Sequence, residues 1–205
     1  MRNTLIIALV AVAGAANASS LSTLFTGGNS GSAGGGNYFT VTVTNALNVT
    51  GFDVNTTAAA GTNFGFEVYT VPTTHAGNEL IPGNWTLVGT GTGVSAGLNL
   101  PSPVTLAAPF QLGTGAVGMA IFLRGGPGSV SLSYTNGTGS NQNYSNSDLA
   151  LALGTATNAF FSPSVFTPRV WNGTVYYDVV PEPASMAALG LGVLALIRRR
   201  RASSK

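Results

Sequence analysis

Phe39-Thr40-Val41-Thr42-Val43-Thr44 alternates apolar and hydroxylated side chains one for one. That period of two belongs to a β-strand with one buried and one solvated face. The beat recurs down the chain. Val49 to Val54 surrounds Phe52; Phe64, Phe66 and Val68 alternate with Gly65, Glu67 and Tyr69; Trp85 to Val88 follows. Val117, Met119, Ile121 and Leu123 then alternate with small residues, as do Val130, Leu132 and Tyr134, and Leu149, Leu151 and Leu153. Between residues 19 and 180 nothing repeats at the 3.6-residue helical period.

This predicts an all-β domain of about eight to ten short antiparallel strands, arranged as a jelly-roll-like rather than an Ig-like β-sandwich. Arg169-Val170-Trp171-Asn172-Gly173-Thr174-Val175-Tyr176-Tyr177 reads as a hairpin, because Asn-Gly accepts the positive φ angles of a type I′ turn. Phe52, Phe64, Phe66, Trp85, Ile121, Leu132 and Trp171 are the expected core. Composition agrees: 28 glycines and only 7% charged residues suit Thr-rich strands and Gly/Asn-rich turns, and 44% hydrophobic residues is too many for a disordered chain. The predicted organisation is 1–18 an N-terminal leader, 19–37 a flexible Gly/Ser-rich segment or weak first strand, 38–178 the β-domain, and 179–205 a tail.

The formal charge of +2 is misleading, since Arg2, Arg198, Arg199, Arg200, Arg201 and Lys205 lie at the ends. From residue 19 to residue 182, Arg124 and Arg169 face Asp53, Glu67, Glu79, Asp148, Asp178 and Glu182, a net charge of −4. Nucleic-acid binding, which needs a basic surface, is excluded on this ground. The chain has no cysteine, hence no disulfide and no Cys-ligated metal.

Both ends read as addresses. Arg2 precedes the apolar run Leu5–Ala13, and Ala16-Asn17-Ala18 supplies an A-x-A pattern, the layout of a secretory signal peptide cut by signal peptidase after Ala18. At the other end Pro181-Glu182-Pro183 precedes an apolar stretch from Ala184 to Ile197, closed by Arg198, Arg199, Arg200 and Arg201. As a helix, those 14 residues span roughly 21 Å, against a hydrocarbon core roughly 30 Å thick. Snorkelling arginines and local bilayer thinning make a short span workable. Four arginines past the helix place that end in the cytoplasm and the β-domain outside it. The two prolines keep the preceding segment extended, in a form an enzyme can grip.

This tail closely resembles the PEP-CTERM sorting signal of Gram-negative bacteria: Pro181-Glu182-Pro183, a hydrophobic helix and an arginine cluster, in that order. The resemblance implies recognition by an exosortase, a membrane-embedded cysteine transpeptidase. It also implies transient inner-membrane anchoring and delivery to the cell surface or extracellular polysaccharide matrix. The order of Val49-Thr50-Gly51-Phe52-Asp53-Val54-Asn55, Trp85-Thr86-Leu87-Val88-Gly89, Tyr134-Thr135-Asn136-Gly137 and Arg169-Val170-Trp171-Asn172-Gly173 is similar to a mature domain found in front of such tails. That second likeness implies fold and location, and no activity.

No catalytic, cofactor or metal site is expected. Gly93-Val94-Ser95-Ala96-Gly97 matches G-x-S-x-G, but the single histidine, His75, precedes Ser95, and Leu98-Asn99-Leu100-Pro101 follows in place of a helix. One His and no Cys exclude ordinary zinc and copper sites. Asp53-Val54-Asn55 and Asn146-Ser147-Asp148 offer oxygen ligands, yet turn formation accounts for them. A glycosidase needs two facing carboxylates, and Glu67 reads instead as the cross-strand partner of Arg124 or Arg169. The expectation is an exported non-enzymatic surface or matrix protein. The alternative is a carbohydrate-binding module using Tyr69, Tyr144, Tyr176 and Tyr177, set against a role of those tyrosines in capping the core.

Overall fold

The computed structural model describes residues 19–125 and 130–181, together with Gly190 and Gly192. The described strands are β1 (Ser19–Ser22), β2 (Asn29–Ser30), β3 (Gly36–Val43), β4 (Leu47–Val54), β5 (Asn63–Pro72), β6 (Thr86–Val94), β7 (Ser102–Leu112), β8 (Gly115–Arg124), β9 (Ser133–Asn136), β10 (Asn143–Ser145), β11 (Leu149–Thr157), β12 (Val165–Phe166), β13 (Arg169–Trp171) and β14 (Gly173–Val179). Every pairing is antiparallel. The all-β reading therefore stands. The 19–37 segment supplies β1 and β2.

The strands do not divide into the two facing sheets of a jelly roll. One large sheet runs β1-β14-β4-β7-β6-β5-β8-β3-β11-β10, with β12 on the end of β11. It curls until its first and last strands approach each other, a nearly closed, barrel-like sheet. Curling removes the exposed edges that an open sheet would leave. The sequence of β6 permits it. Gly89, Gly91 and Gly93 lie opposite Val68, Phe66 and Phe64 and share their inward face. A Cβ on Gly91 would stand 2.6 Å from the Thr105 carbonyl oxygen, so β6 and β7 can bend this closely only over a glycine. Alternation of Thr90 and Thr92 on the outside with glycine on the inside leaves room for Phe64, Phe66 and Phe110 within.

A clasp of side chains joins the two ends of the curl. Asn146, just after β10, donates to the Ser20 carbonyl of β1 at 3.3 Å and to the Tyr177 hydroxyl of β14 at 2.7 Å. Tyr177 in turn donates to Asp148 at 3.1 Å. Burial is the main cause raising the Tyr177 pKa, so the phenol remains a donor. Tyr177→Phe leaves the aromatic packing in place but strips Asn146 and Asp148 of a buried partner. It is expected to cost about 0.5–1.5 kcal/mol, read as a lower urea midpoint at unchanged slope.

A second sheet, β13-β9-β2, packs against this barrel. Its Val170 and Trp171, with Leu132 just before β9, enter one core with Phe39, Phe52, Phe66 and Ile121. The expected 169–177 hairpin does not form. β13 pairs with β9, whereas β14 pairs with β4 and β1, so the chain changes sheets at Asn172. Packing of Trp171 overrides the local turn preference. The indole lies against Gly173, and a Cβ there would also stand 2.5 Å from the Asp53 carbonyl oxygen. Gly173 is required for that close approach, not for a positive φ.

All seven expected core residues are buried. Trp85, however, belongs to a separate cluster with Tyr38, Val71, Ala120 and Phe122 on the other face of β3, β5 and β8. Tyr69 and Phe161 pack onto it.

Candidate functional site

Chemistry and address separate in this chain, and the address lies where the fold ends. β14 stays paired with β4 through Val179, opposite Leu47, across a register shift between Tyr176 and Tyr177. The Val180 amide then donates to the Ala46 carbonyl at 2.8 Å. Pro181 is exposed and has no amide hydrogen to continue the ladder. The barrel thus stops one residue before the Pro-Glu-Pro sequence, with no spacer between them. At the other end, Ser19, the residue after the expected leader, pairs directly with Tyr177.

The expected site residues Ala16, Ala18, Glu182, Pro183, Arg198, Arg199, Arg200 and Arg201 lie outside the described residues. So does the expected C-terminal helix, apart from Gly190 and Gly192. Among the described residues no helix is long and apolar enough to cross a membrane.

A family comparison covers this junction. Residues 179–201 match the PEP-CTERM protein-sorting motif. The chain carries a sorting signal. The motif begins at Val179, the last residue of β14, so strand and signal share that residue. A PEP-CTERM motif implies export through the membrane toward the cell surface and an exosortase as processing partner. A comparison with curated proteins finds no match to the chain.

The other candidates are occupied by structure. Ser95 is 2% exposed. Its hydroxyl donates to the Ala58 carbonyl at 2.9 Å, so its lone pairs take the Gly97 amide at 3.1 Å and the Thr56 hydroxyl at 2.7 Å. It closes a loop and does not present a nucleophile. Asp53 accepts from Tyr176 at 2.7 Å, and Asn55 accepts from the Asn99 amide at 2.8 Å. Asn146 accepts from the Asp148 and Leu149 amides at 3.0 and 3.1 Å, an Asx turn. Among the described residues no three His, Cys, Asp or Glu side chains gather to hold a metal.

Glu67 pairs with Arg124, Nε to Oε2 at 2.8 Å, across β5 and β8. The tyrosines form no shared platform. Tyr177 is fully buried, and Tyr144 is packed against the core. Tyr69 on β5 and Tyr176 on β14 have β6, β7 and β4 between them, roughly 19 Å along the curved sheet. Their hydroxyls are bound to Glu67 and Asp53. The core-capping reading of these tyrosines fits better than sugar stacking.

Two features escaped sequence reading. Arg124 lies over the Phe160 ring at 3.5 Å, so the guanidinium bridges Glu67 and the outer aromatic cluster. A groove of about 780 Å³ opens beside it, bordered by Phe64, Gly93, Val94 and Pro103.

His75 is the second. Its Nδ1 lies 2.8 Å from the Thr40 hydroxyl, and its Nε2 fills the space that a side chain on Gly154 would need. Burial lowers its pKa, with the Glu79 charge opposing more weakly. The unfolded chain, whose imidazole titrates near about 6.5, therefore takes up the proton first. Stability is full above that pH and declines below it, by no more than about 1.4 kcal/mol per pH unit for one proton. His75 is the chain's single histidine. Urea unfolding between about pH 7.5 and 5.5 is expected to show this decline in the native sequence and not in His75→Gln.

Proposed function

We propose that this chain is an exported, non-enzymatic structural or interaction protein of the cell surface or extracellular matrix. Its leader is removed after Ala18. Residues 184–197 hold the precursor at the inner membrane, and an exosortase-type transpeptidase cuts within Pro181–Pro183 to release the β-domain. The carrying observation is the junction: the sorting motif starts on the last residue of β14, and the fold ends at the Val180 amide. The product of cleavage is then a complete barrel with no loose tail.

Support for a non-catalytic role comes from where the reactive groups go. Ser95 closes a loop, His75 packs under Thr40 and Gly154, and Asp53, Glu67 and Asp148 each bind a different tyrosine. Intact masses of the native protein from membranes and from medium test the reading. The expected released species lacks residues 1–18 and everything beyond about Pro183. Released or surface protein that retains Arg198–Arg201 would overturn it.

A further inference from the structure

We propose that the barrel stands on the membrane on one defined pole while it waits for cleavage, its two membrane segments leaving side by side. This rests on the reading of the end segments as membrane-inserted, and adds to it which face of the domain meets the bilayer.

The argument is one of register. Ser19 lies opposite Tyr177, a separation of about 4.5–5.5 Å between neighbouring antiparallel Cα atoms. β1 runs away from that point while β14 runs toward it, so Ser19 and Val180–Pro181 lie at the same end of the barrel. Leu47 pairs with both Val179 and Leu112, and Val43 pairs with both Gly115 and Leu149. The same end therefore carries the turns at 44–46, 113–114 and 146–148. The loops at 55–62 and 95–101 lie at the opposite end, beyond Val54, Asn63, Val94 and Ser102. An eight-residue strand such as β4 separates the two ends by roughly 25 Å.

Both attachments leaving one pole allows the barrel to close completely, clasp included, while both are still in the bilayer. Ends at opposite poles would have forced β1 or β14 to stay unpaired. The pole itself has no electrostatic hold on lipid. Arg124, opposite Gly65, lies in the other half, whereas Asp148 and Asp178 lie near the tethered pole. With no Lys or Arg in the turns at 44–46, 113–114 and 146–148 to hold lipid headgroups, orientation depends on the tethers and is lost on cleavage.

The absence of cysteine makes the test direct. Single cysteines are placed at two exposed positions, Thr114→Cys on the tethered pole and Ala60→Cys on the far one. Each is labelled with a fluorophore in the full-length precursor in vesicles containing a headgroup-nitroxide lipid. Quenching severalfold stronger at 114 than at 60, with the difference vanishing once both membrane segments are cleaved off, is the expected result. Equal quenching, or stronger quenching at 60, in a membrane-bound precursor overturns the proposal and leaves the sorting reading intact. A precursor that does not sediment with the vesicles overturns both.

Discussion

Trp171→Ala is expected to lose about 3–5 kcal/mol of stability, much of the roughly 5–15 kcal/mol that holds a domain folded. Trp171 is 1% exposed. Its indole stacks on Phe39 with centroids 5.2 Å apart and planes 14° from parallel, and meets Phe52 edge-on at 6.4 Å. Phe39 is on β3 and Phe52 on β4, with β8, β5, β6 and β7 between them along the large sheet. One ring from the small sheet thus wedges between two distant stretches of the curl. Removing it opens a cavity at the point where the two sheets share a core, and the surrounding strands are held by their ladders from collapsing into it. Trp171→Phe should be much milder, since the indole Nε1–H finds no hydrogen-bond partner and its loss sacrifices none. Denaturant unfolding followed by far-UV circular dichroism separates the cases. An alanine variant as stable as the phenylalanine variant would mean that the ring does not join the sheets.

The same tryptophan marks where sequence reading succeeds and where it stops. Its burial was legible, because Val170 and Trp171 sit in an apolar stretch beside a turn signal. Its partner was not. Asn-Gly is a local preference, and a local preference yields when a large side chain needs the space above the glycine. β7 was missed for a related reason. Val104, Leu106, Phe110 and Leu112 keep the period of two, but Pro103 and Pro109 stand among them, and proline is disfavoured inside strands. The structure tolerates Pro109 because the β4–β7 register skips residues 106–109, so no ladder donor is needed there. The outer aromatic cluster was hidden by phase. Tyr38, Tyr69 and Phe122 occupy the face of their strands that alternation marks as outward, and Phe160-Phe161 reaches them from a loop far along the chain. Alternation tells which residues share a face, not what later covers it. The sorting tail was the most legible feature because its parts are ordered along the chain and require no folding to be recognised.

Replacing Pro181, Glu182 and Pro183 together by alanine is expected to abolish release while leaving the barrel as stable as before. Stability should be untouched because, among the described residues, the last backbone hydrogen bond is made by Val180, and Pro181 is exposed beyond it. Release should fail for a conformational reason as well as a recognition one. Proline blocks helix propagation and biases the residue before it to extended backbone. Alanine does neither and is the best helix former. With three alanines in place, a helix of the kind the sequence predicts over Ala184–Ile197 would extend back to the end of β14, consuming the extended stretch an enzyme must grip. The two alternatives give different pictures. If the tail is only a passive anchor, the triple variant and the native chain partition identically between membrane and medium. If the junction is the processing site, the variant accumulates at the membrane at the full mass expected after leader removal, with an unchanged melting temperature. A variant released normally would instead place the cut outside Pro181–Pro183. Because the barrel ends one residue earlier, the sites left would be within the strand-bound Val179–Val180 or inside the apolar run itself, and each demands unfolding or membrane extraction first.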